Sequence, residues 1–532
     1  DSSRNRRGNR SRESRKVDLA DIARMFEFMT PTFVALDLET TGLDPETDAI
    51  TEIGAVRFRG DGEVVDTFQQ LVNPGREIPL FVQQLTGVTN DAVATAPHIT
   101  EIVPQLQAFA GEDAIVGHNI AFDLAYLRQA GFRQQGPVLD TGELSRVLMP
   151  DRQPRNLGEL AKVLGAPPAT LHRALADAST TAAVFAALLR RADALEPEER
   201  ARLANFVAMR DEPLARVVGG ETWGLDGSPV LSLPQVRKTT PPPPLARIEG
   251  ARAVTEAEVD NAFEAASRVF DGFEHRAEQR EMAAAVQESF ARGGHLRVEA
   301  GTGVGKSLAY LIPAALHALR HGERVVISTN TINLQGQLLG KDIPALHSIL
   351  REAGAIRHDG ELRVALLKGR GNYLCLNRFY ASYTSKSDDP DFERLAASML
   401  LWLPETETGD RQELSVDHET WVTWQRFSAQ DADCLQRQNR YVRDGDCFLL
   451  RARQAAESAH ILIVNHALLL ADLVAHGSAI PPFDHLIVDE AHNLEGVATQ
   501  QLGMSATRRS IDDMLDGIYR TGGRDSREGG AA

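Results

Sequence analysis

Cysteine is scarce, with three residues in 532. That excludes a disulfide framework and fits a reducing interior, so the expected compartment is the cytoplasm. The chain also lacks any run of the roughly 20 apolar residues that a membrane helix requires. Its richest stretch, Ile461 to Ala475, is broken by Asn465, His466 and Asp472, and no membrane span is expected. Positive charge is in deficit as well. With 57 Lys and Arg against 74 Asp and Glu, the formal net charge is −17, so bulk electrostatics does not attract a polyanion. Any nucleic-acid site must be built locally. No internal repeat is present.

What is present is the composition of a globular protein, 43% hydrophobic and 25% charged. The length exceeds the roughly 250 to 300 residues at which single cores stop growing, so two or more domains are expected. Residues 1–28 read as a disordered basic tail, with Arg4, Arg6, Arg7, Arg10, Arg12, Arg15 and Lys16 near its start. A first residue of Asp rather than Met suggests a processed product or a fragment. Pro229, Pro234 and the run Pro241 to Pro244 mark a seam, since consecutive prolines favour an extended spacer. The expected division is a catalytic domain at 29–195, a helical segment and proline-rich linker at 196–250, and a second domain at 251–532.

Both halves read as α/β. In the first, strands are expected at Thr32 to Leu38, Ile50 to Phe58, Glu63 to Val72 and Ala114 to Val116. Helices are expected at Ile99 to Phe109, Ile120 to Gln129, Leu157 to Leu164 and Ala174 to Arg191. In the second, strand-like runs at Leu296 to Glu299, Arg324 to Ser328, His460 to Val464 and His485 to Val488 alternate with helical stretches, the pattern of a parallel sheet covered by helices.

Asp37 and Glu39 stand two apart on a strand and project from one face. With Asp123, Asp177 and His172 they form a set suited to two Mg²⁺ or Mn²⁺ ions and phosphodiester hydrolysis, with His172 as general base. Asp37-Leu38-Glu39-Thr40-Thr41-Gly42-Leu43-Asp44, then His118-Asn119 with Asp123, then His172 with Asp177, resemble in order the three motifs of the DEDDh exonucleases, the family of the proofreading epsilon subunit. The resemblance covers about residues 30–190. It implies a ribonuclease H-like fold, removal of nucleotides from 3′ ends, metal ligands at Asp37, Glu39, Asp123 and Asp177, a base at His172, and Thr40 to Gly42 beside the terminal nucleotide.

In the second half a strand-like run leads into Ala300-Gly301-Thr302-Gly303-Val304-Gly305-Lys306-Ser307 and an apolar helix. Backbone N–H groups of such a loop cradle phosphate, Lys306 reaches the outer phosphates and Ser307 holds Mg²⁺. The strand Leu486-Ile487-Val488 ends in Asp489-Glu490-Ala491-His492, offering Asp489 for Mg²⁺, Glu490 to orient the attacking water and His492 to couple nucleotide state to nucleic acid. These four residues match a DEAH box. Together with Arg276 and Gln279 at an adenine-reading motif, Lys368 to Cys375 and Val464-Asn465-His466, the segment resembles the DinG family of superfamily 2 helicases over about residues 250–520.

That resemblance implies a RecA-like P-loop lobe using ATP with Mg²⁺. Iron-sulfur members of the family use four cysteines, whereas this chain has Cys375, Cys434 and Cys447, with Asn439 about where another is expected. No standard four-cysteine cluster is therefore expected. Residues 493–532 are too few for a second motor lobe, so a truncated motor is expected.

The combined reading is a 3′–5′ exonuclease of DNA metabolism fused ahead of an ATP-dependent helicase lobe, acting on single-stranded DNA or RNA. Two rivals stand beside it: a nuclease gated by ATP without unwinding, and a non-catalytic nucleic-acid scaffold. Intact Asp37, Glu39, His172, Lys306 and Asp489 speak against the scaffold.

Overall fold

The computed structural model describes residues 32–151, 156–167, 173–208, 212–219, 234–301, 304–383, 389–414, 420–430, 439–503 and 511. The basic tail, His172, Thr302, Gly303 and Cys434 lie outside them. The chain divides into two compact units, one of residues 1–237, 378–406 and 411–426, the other of 238–377, 407–410 and 427–532.

In the first unit, β1 (Thr32–Thr40), β2 (Ile50–Arg59), β3 (Val64–Leu71), β4 (Ala114–Gly117) and β5 (Val138–Asp140) form one sheet in the order β3-β2-β1-β4-β5. β1 pairs antiparallel with β2 and parallel with β4. This mixed α/β sheet with helical cover is the ribonuclease H-like arrangement expected from the motifs. β1 is apolar almost throughout because both its faces are covered. Val34, Leu36 and Leu38 pack with Ile102, Leu106, Leu124 and Leu127 of the helices Ile99–Ala110 and Ala121–Gln129. The opposite face carries Phe33, Ala35, Asp37 and Glu39 and meets the helix Ala174–Asp193, where Phe185 lies 5.0 Å from Phe33 and 6.0 Å from Phe58 between ring centroids. Such aromatic pairs add about 0.5–1.5 kcal/mol each beyond their buried area.

The division of the chain departs from the expected one in two respects. Residues 378–406 and 411–426 join the first unit, where the helix Pro390–Trp402 packs against Thr141–Leu148 and Pro197–Ala208 and Arg394 pairs with Glu143. The end of the proline-rich segment, 238–250, belongs to the second unit instead of standing free. Prolines 241–244 have no N–H to give, and the residues beyond them supply the bonds: Leu245 N–H to Glu457 O at 3.1 Å and Ile248 N–H to His321 O at 2.7 Å.

The second unit holds an all-parallel sheet in the order β7-β8-β6-β9, formed by β6 (Val325–Thr329), β7 (Val364–Leu366), β8 (Ile461–Asn465) and β9 (His485–Val488). Val325, Ile327, Ile461 and Ile463 face the helices Glu256–Val269, Ala277–Arg292, Lys306–His321 and Ile343–Glu352. Val326, Leu462 and Val464 face the other way, toward Ala456, Leu468 and Leu469. Leu296 to Glu299, expected as a strand, is not one. Its residues are exposed, Leu296 at 44% and Val298 at 41%, and no described strand runs beside them, so their alternation is never completed by a ladder.

Candidate active site

The face of β1 that bears Asp37 and Glu39 is continued across β2 by register, Asp37 opposite Gly54 and Glu39 opposite Glu52. Gly54 decides how closely the next layer approaches. A Cβ there would lie 2.1 Å from the carbonyl carbon of Ala174 and 2.2 Å from the nitrogen of Leu175, so the helix Ala174–Asp193 starts with its backbone against that of β2. One turn into the helix this contact delivers Asp177 to Asp37 and Glu39. The three carboxylates each offer an oxygen within 4.8 Å of the other two, and all keep some surface open to solvent.

Asp123, in the first turn of Ala121–Gln129, accepts a hydrogen bond from Leu38 N at 3.0 Å, the residue between the two β1 carboxylates. It stands outside the three-oxygen group, although its charge is felt by both Asp37 and Glu39. The expected ligand set is thus brought together as three carboxylates with Asp123 close by, while the position expected for the base, His172, falls outside the described residues.

Like charges at this spacing oppose ionisation. Burial first, then the charges of Asp123, Asp177, Glu39 and Glu52, hold Asp37 well above the usual carboxylate range. Burial, then Asp177, Glu52 and Asp123, raise Glu39 to about 8. Burial raises Asp123 to about 7 against the pull of its hydrogen bonds from N–H groups. A set of hard oxygen donors that resist ionisation together is the chemistry that divalent Mg²⁺ or Mn²⁺ relieves.

Three supporting residues escaped the sequence reading. Glu52 is fully buried, yet Arg173 Nε and Nη2 donate to it at 2.8 and 2.7 Å and Gln69 Nε2 at 2.8 Å. Burial pushes its carboxyl up, but these bonds, Arg173 first, bring it below its ordinary value. Asp140, ending β5, accepts from Ile120 N at 2.9 Å, Gly142 N at 2.8 Å and Glu143 N at 3.2 Å, fixing the turn that leads to Asp123. Asp-Thr-Gly-Glu after an apolar triplet is a capping signal that could have found Asp140. Nothing local marks Glu52 or Arg173 as partners.

Beyond β1, the Thr40 to Gly42 turn is pinned, since Thr40 Oγ1 at 2.6 Å and Tyr126 Oη at 2.9 Å both donate to Gly42 O and Thr41 Oγ1 donates to Asp48 at 3.0 Å.

The second unit gathers its motif residues at the carboxyl ends of its parallel strands, the usual ligand side of such sheets. Lys306 opens the helix Lys306–His321, preceded by Gly305 at φ 83°, and Ser307 follows in the same turn. Lys306 Nζ lies 3.0 Å from Glu490 Oε1, and Tyr310 Oη donates to Asp489 Oδ2 at 3.1 Å. Gln279 is buried with its Nε2 donating to Gly305 O at 2.8 Å, whereas Arg276 is exposed and paired with Glu274. His492 is exposed, 3.5 Å from Glu490 Oε2. Gly301 is exposed before the loop. Cys375 and Cys447 are buried in one small cluster with Tyr373, Ala429 and Leu449, and Asn439 Oδ1 accepts from Tyr441 N at 3.1 Å to start a short helix.

Two outcomes are expected from this geometry. Gly54→Ala should displace the helix bearing Asp177 and lower any metal-dependent activity about 100-fold, the scale for a misplacement near 1 Å, while circular dichroism stays native. In the metal-free chain the Glu39 carboxyl should add most to stability in acid. Glu39 binds its proton up to about 8 in the folded state against 4.5 ordinarily, so its contribution is complete below 4.5 and lost as pH rises through about 8. Melting temperatures measured with and without Mg²⁺ across that window check this, with Mg²⁺ raising the melting point most at the alkaline end.

Residues 34–185 match the family model described as Exonuclease, RNase_T. The chain is 32% identical over 500 residues to a Bacillus subtilis protein named 3′-5′ exonuclease DinG, a match covering 91% of this chain and 52% of that protein. It is 28% identical over 493 residues to a Staphylococcus epidermidis protein of the same name, covering 88% and 51%. The chain thus spans about half the length of the curated relatives it matches. Among solved structures, exonuclease X in complex with 5′ overhanging duplex DNA is 29% identical, over 30% of this chain and 91% of that one, with a TM-score of 0.26. The chain is therefore a homologue, over nine-tenths of its own length, of the proteins named 3′-5′ exonuclease DinG, with its exonuclease domain at residues 34–185.

Proposed function

We propose that the first unit is a divalent-metal-dependent 3′–5′ exonuclease acting on single-stranded DNA, and that residues 251–532 supply the first RecA-like lobe of a DinG-type ATP-dependent helicase. The convergence of Asp37, Glu39 and Asp177 carries the first part. Asp37, Glu39, Asp123 and Asp177 would hold the cations, which would supply Lewis acidity at the scissile phosphodiester. His172 accepts the proton of the attacking water, a task suited to an imidazole near neutral pH. The pinned Thr40 to Gly42 turn seats the terminal nucleotide, and Arg173, held by Glu52, keeps the start of the Asp177 helix in place.

Product analysis on 5′-labelled single-stranded DNA and RNA with Mg²⁺ or Mn²⁺ tests this reading. Stepwise shortening from the 3′ end is expected, and Asp177→Asn or Asp37→Asn should reduce it to background while leaving strand binding intact. Undiminished degradation by either variant removes the assignment, and shortening of RNA alone would reassign the substrate.

For the second unit, the supporting observation is that Lys306, Glu490 and Asp489 meet at the start of one helix, with Gln279 bonded to the loop backbone. Phosphate would take the place of Glu490 as the partner of Lys306. Lys306→Ala should abolish Mg²⁺-ATP binding in equilibrium dialysis and leave the exonuclease rate unchanged. Nucleotide affinity equal to that of the parent chain would contradict the assignment.

A further inference from the structure

The opposite edge of the second sheet, at the amino ends of its strands, carries a cluster that nothing above uses. His317 lies in the last part of the helix Lys306–His321, Glu323 just before β6, and His485 at the first position of β9. The Nε2 atoms of His317 and His485 lie 3.1 and 3.0 Å from the same oxygen, Glu323 Oε2. The three donor atoms are all within 4.8 Å of one another. His317 and Glu323 are buried and His485 is partly so.

The rings pack against one another. His317 stacks on Phe290 and on His321 at centroid distances of 4.8 and 4.3 Å, and His485 stands edge-on to it at 4.6 Å and 86°.

Two imidazole nitrogens and one carboxylate oxygen are a zinc donor set. A second observation points the same way. His321 follows His317 by four residues on the same helix face, the spacing of helical metal-binding histidine pairs. Its Nε2 is buried with no hydrogen-bond partner among the described residues, although a buried imidazole nitrogen ordinarily has one.

We propose that His317, Glu323 and His485 form a binding site for one divalent ion of the zinc class, with the His321 ring stacked beside it. The ion ties the end of the Lys306–His321 helix to the starts of β6 and β9. Its role is structural, because at about 1.5 Å per residue the helix sets it roughly 20 Å from Lys306 and the nucleotide loop. Arg247, which pairs with Glu323 and lies 3.7 Å from Asp484, balances the carboxylate on its solvent side.

The test uses the whole chain with Asp37→Asn and Asp177→Asn, so that the carboxylate cluster of the first unit takes no metal. After EDTA treatment it is titrated with Co²⁺ and Zn²⁺. One equivalent of Co²⁺ with the visible absorption of a tetrahedral nitrogen and oxygen site is expected, displaced by Zn²⁺, together with a Zn²⁺-dependent rise in melting temperature. Glu323→Gln and His485→Gln should each weaken binding at least about 100-fold. Should Glu323→Gln fail to fold without metal, the partly exposed His485→Gln decides on the same readouts. Absence of stoichiometric Co²⁺, or binding undiminished in His485→Gln, overturns the proposal.

Discussion

The contact between the backbone of β2 at Gly54 and the first turn of the Ala174–Asp193 helix organises the first unit. Because no side chain intervenes, the helix lies low on the face that carries Asp37 and Glu39, and Asp177 reaches them. Further along, the same helix presents Phe185 to Phe33 and Phe58, so one element is anchored by aromatic packing at one place and left charged at another. Packing thus holds in position carboxylates that would otherwise move apart.

The charge balance of this face follows. Glu39 and Asp123 are raised to about 8 and about 7, and Asp37 is also held above its ordinary range, because burial first and then neighbouring carboxylates oppose their ionisation. One neighbouring carboxylate is treated differently. Glu52, directly across from Glu39, is neutralised by the two-pronged bond from Arg173 and stays ionised. The protein therefore supplies a fixed counter-charge to the carboxylate that ties down the helix start and leaves the other carboxylates to an external cation.

The second unit separates two kinds of chemistry along its parallel strands. At the carboxyl ends, Glu490 pairs with Lys306 and Asp489 accepts from Tyr310 of the same helix. Glu490 takes a left-handed conformation, φ 53°, which is sparsely populated for a residue with a side chain and is kept where the surroundings over-determine it. At the amino ends, His317 and His485 pack on Phe290, His321 stacks on His317, and Glu323 bonds both His317 and His485. Helix polarity accounts for the first grouping, since N–H groups and positive partial charge gather where the Lys306 helix begins.

The sequence by itself determined the α/β class, the strands around Asp37 and Asp489, the helix opened by Lys306, and the shared face of Asp37 and Glu39. Those features depend on local periodicity: side chains alternate along a strand and recur every three to four residues on a helix, whatever else the chain does. Tertiary structure alone decided the partnership of Glu52 with Arg173 across 121 positions, the hold of Asp140 on the approach to Asp123, and the meeting of His317 with His485. It also assigned residues 378–406 to the first unit and left Leu296 to Glu299 without a ladder. Such outcomes depend on which surfaces pack together, and a local pattern of apolar and polar residues states that a face will be buried without stating against what.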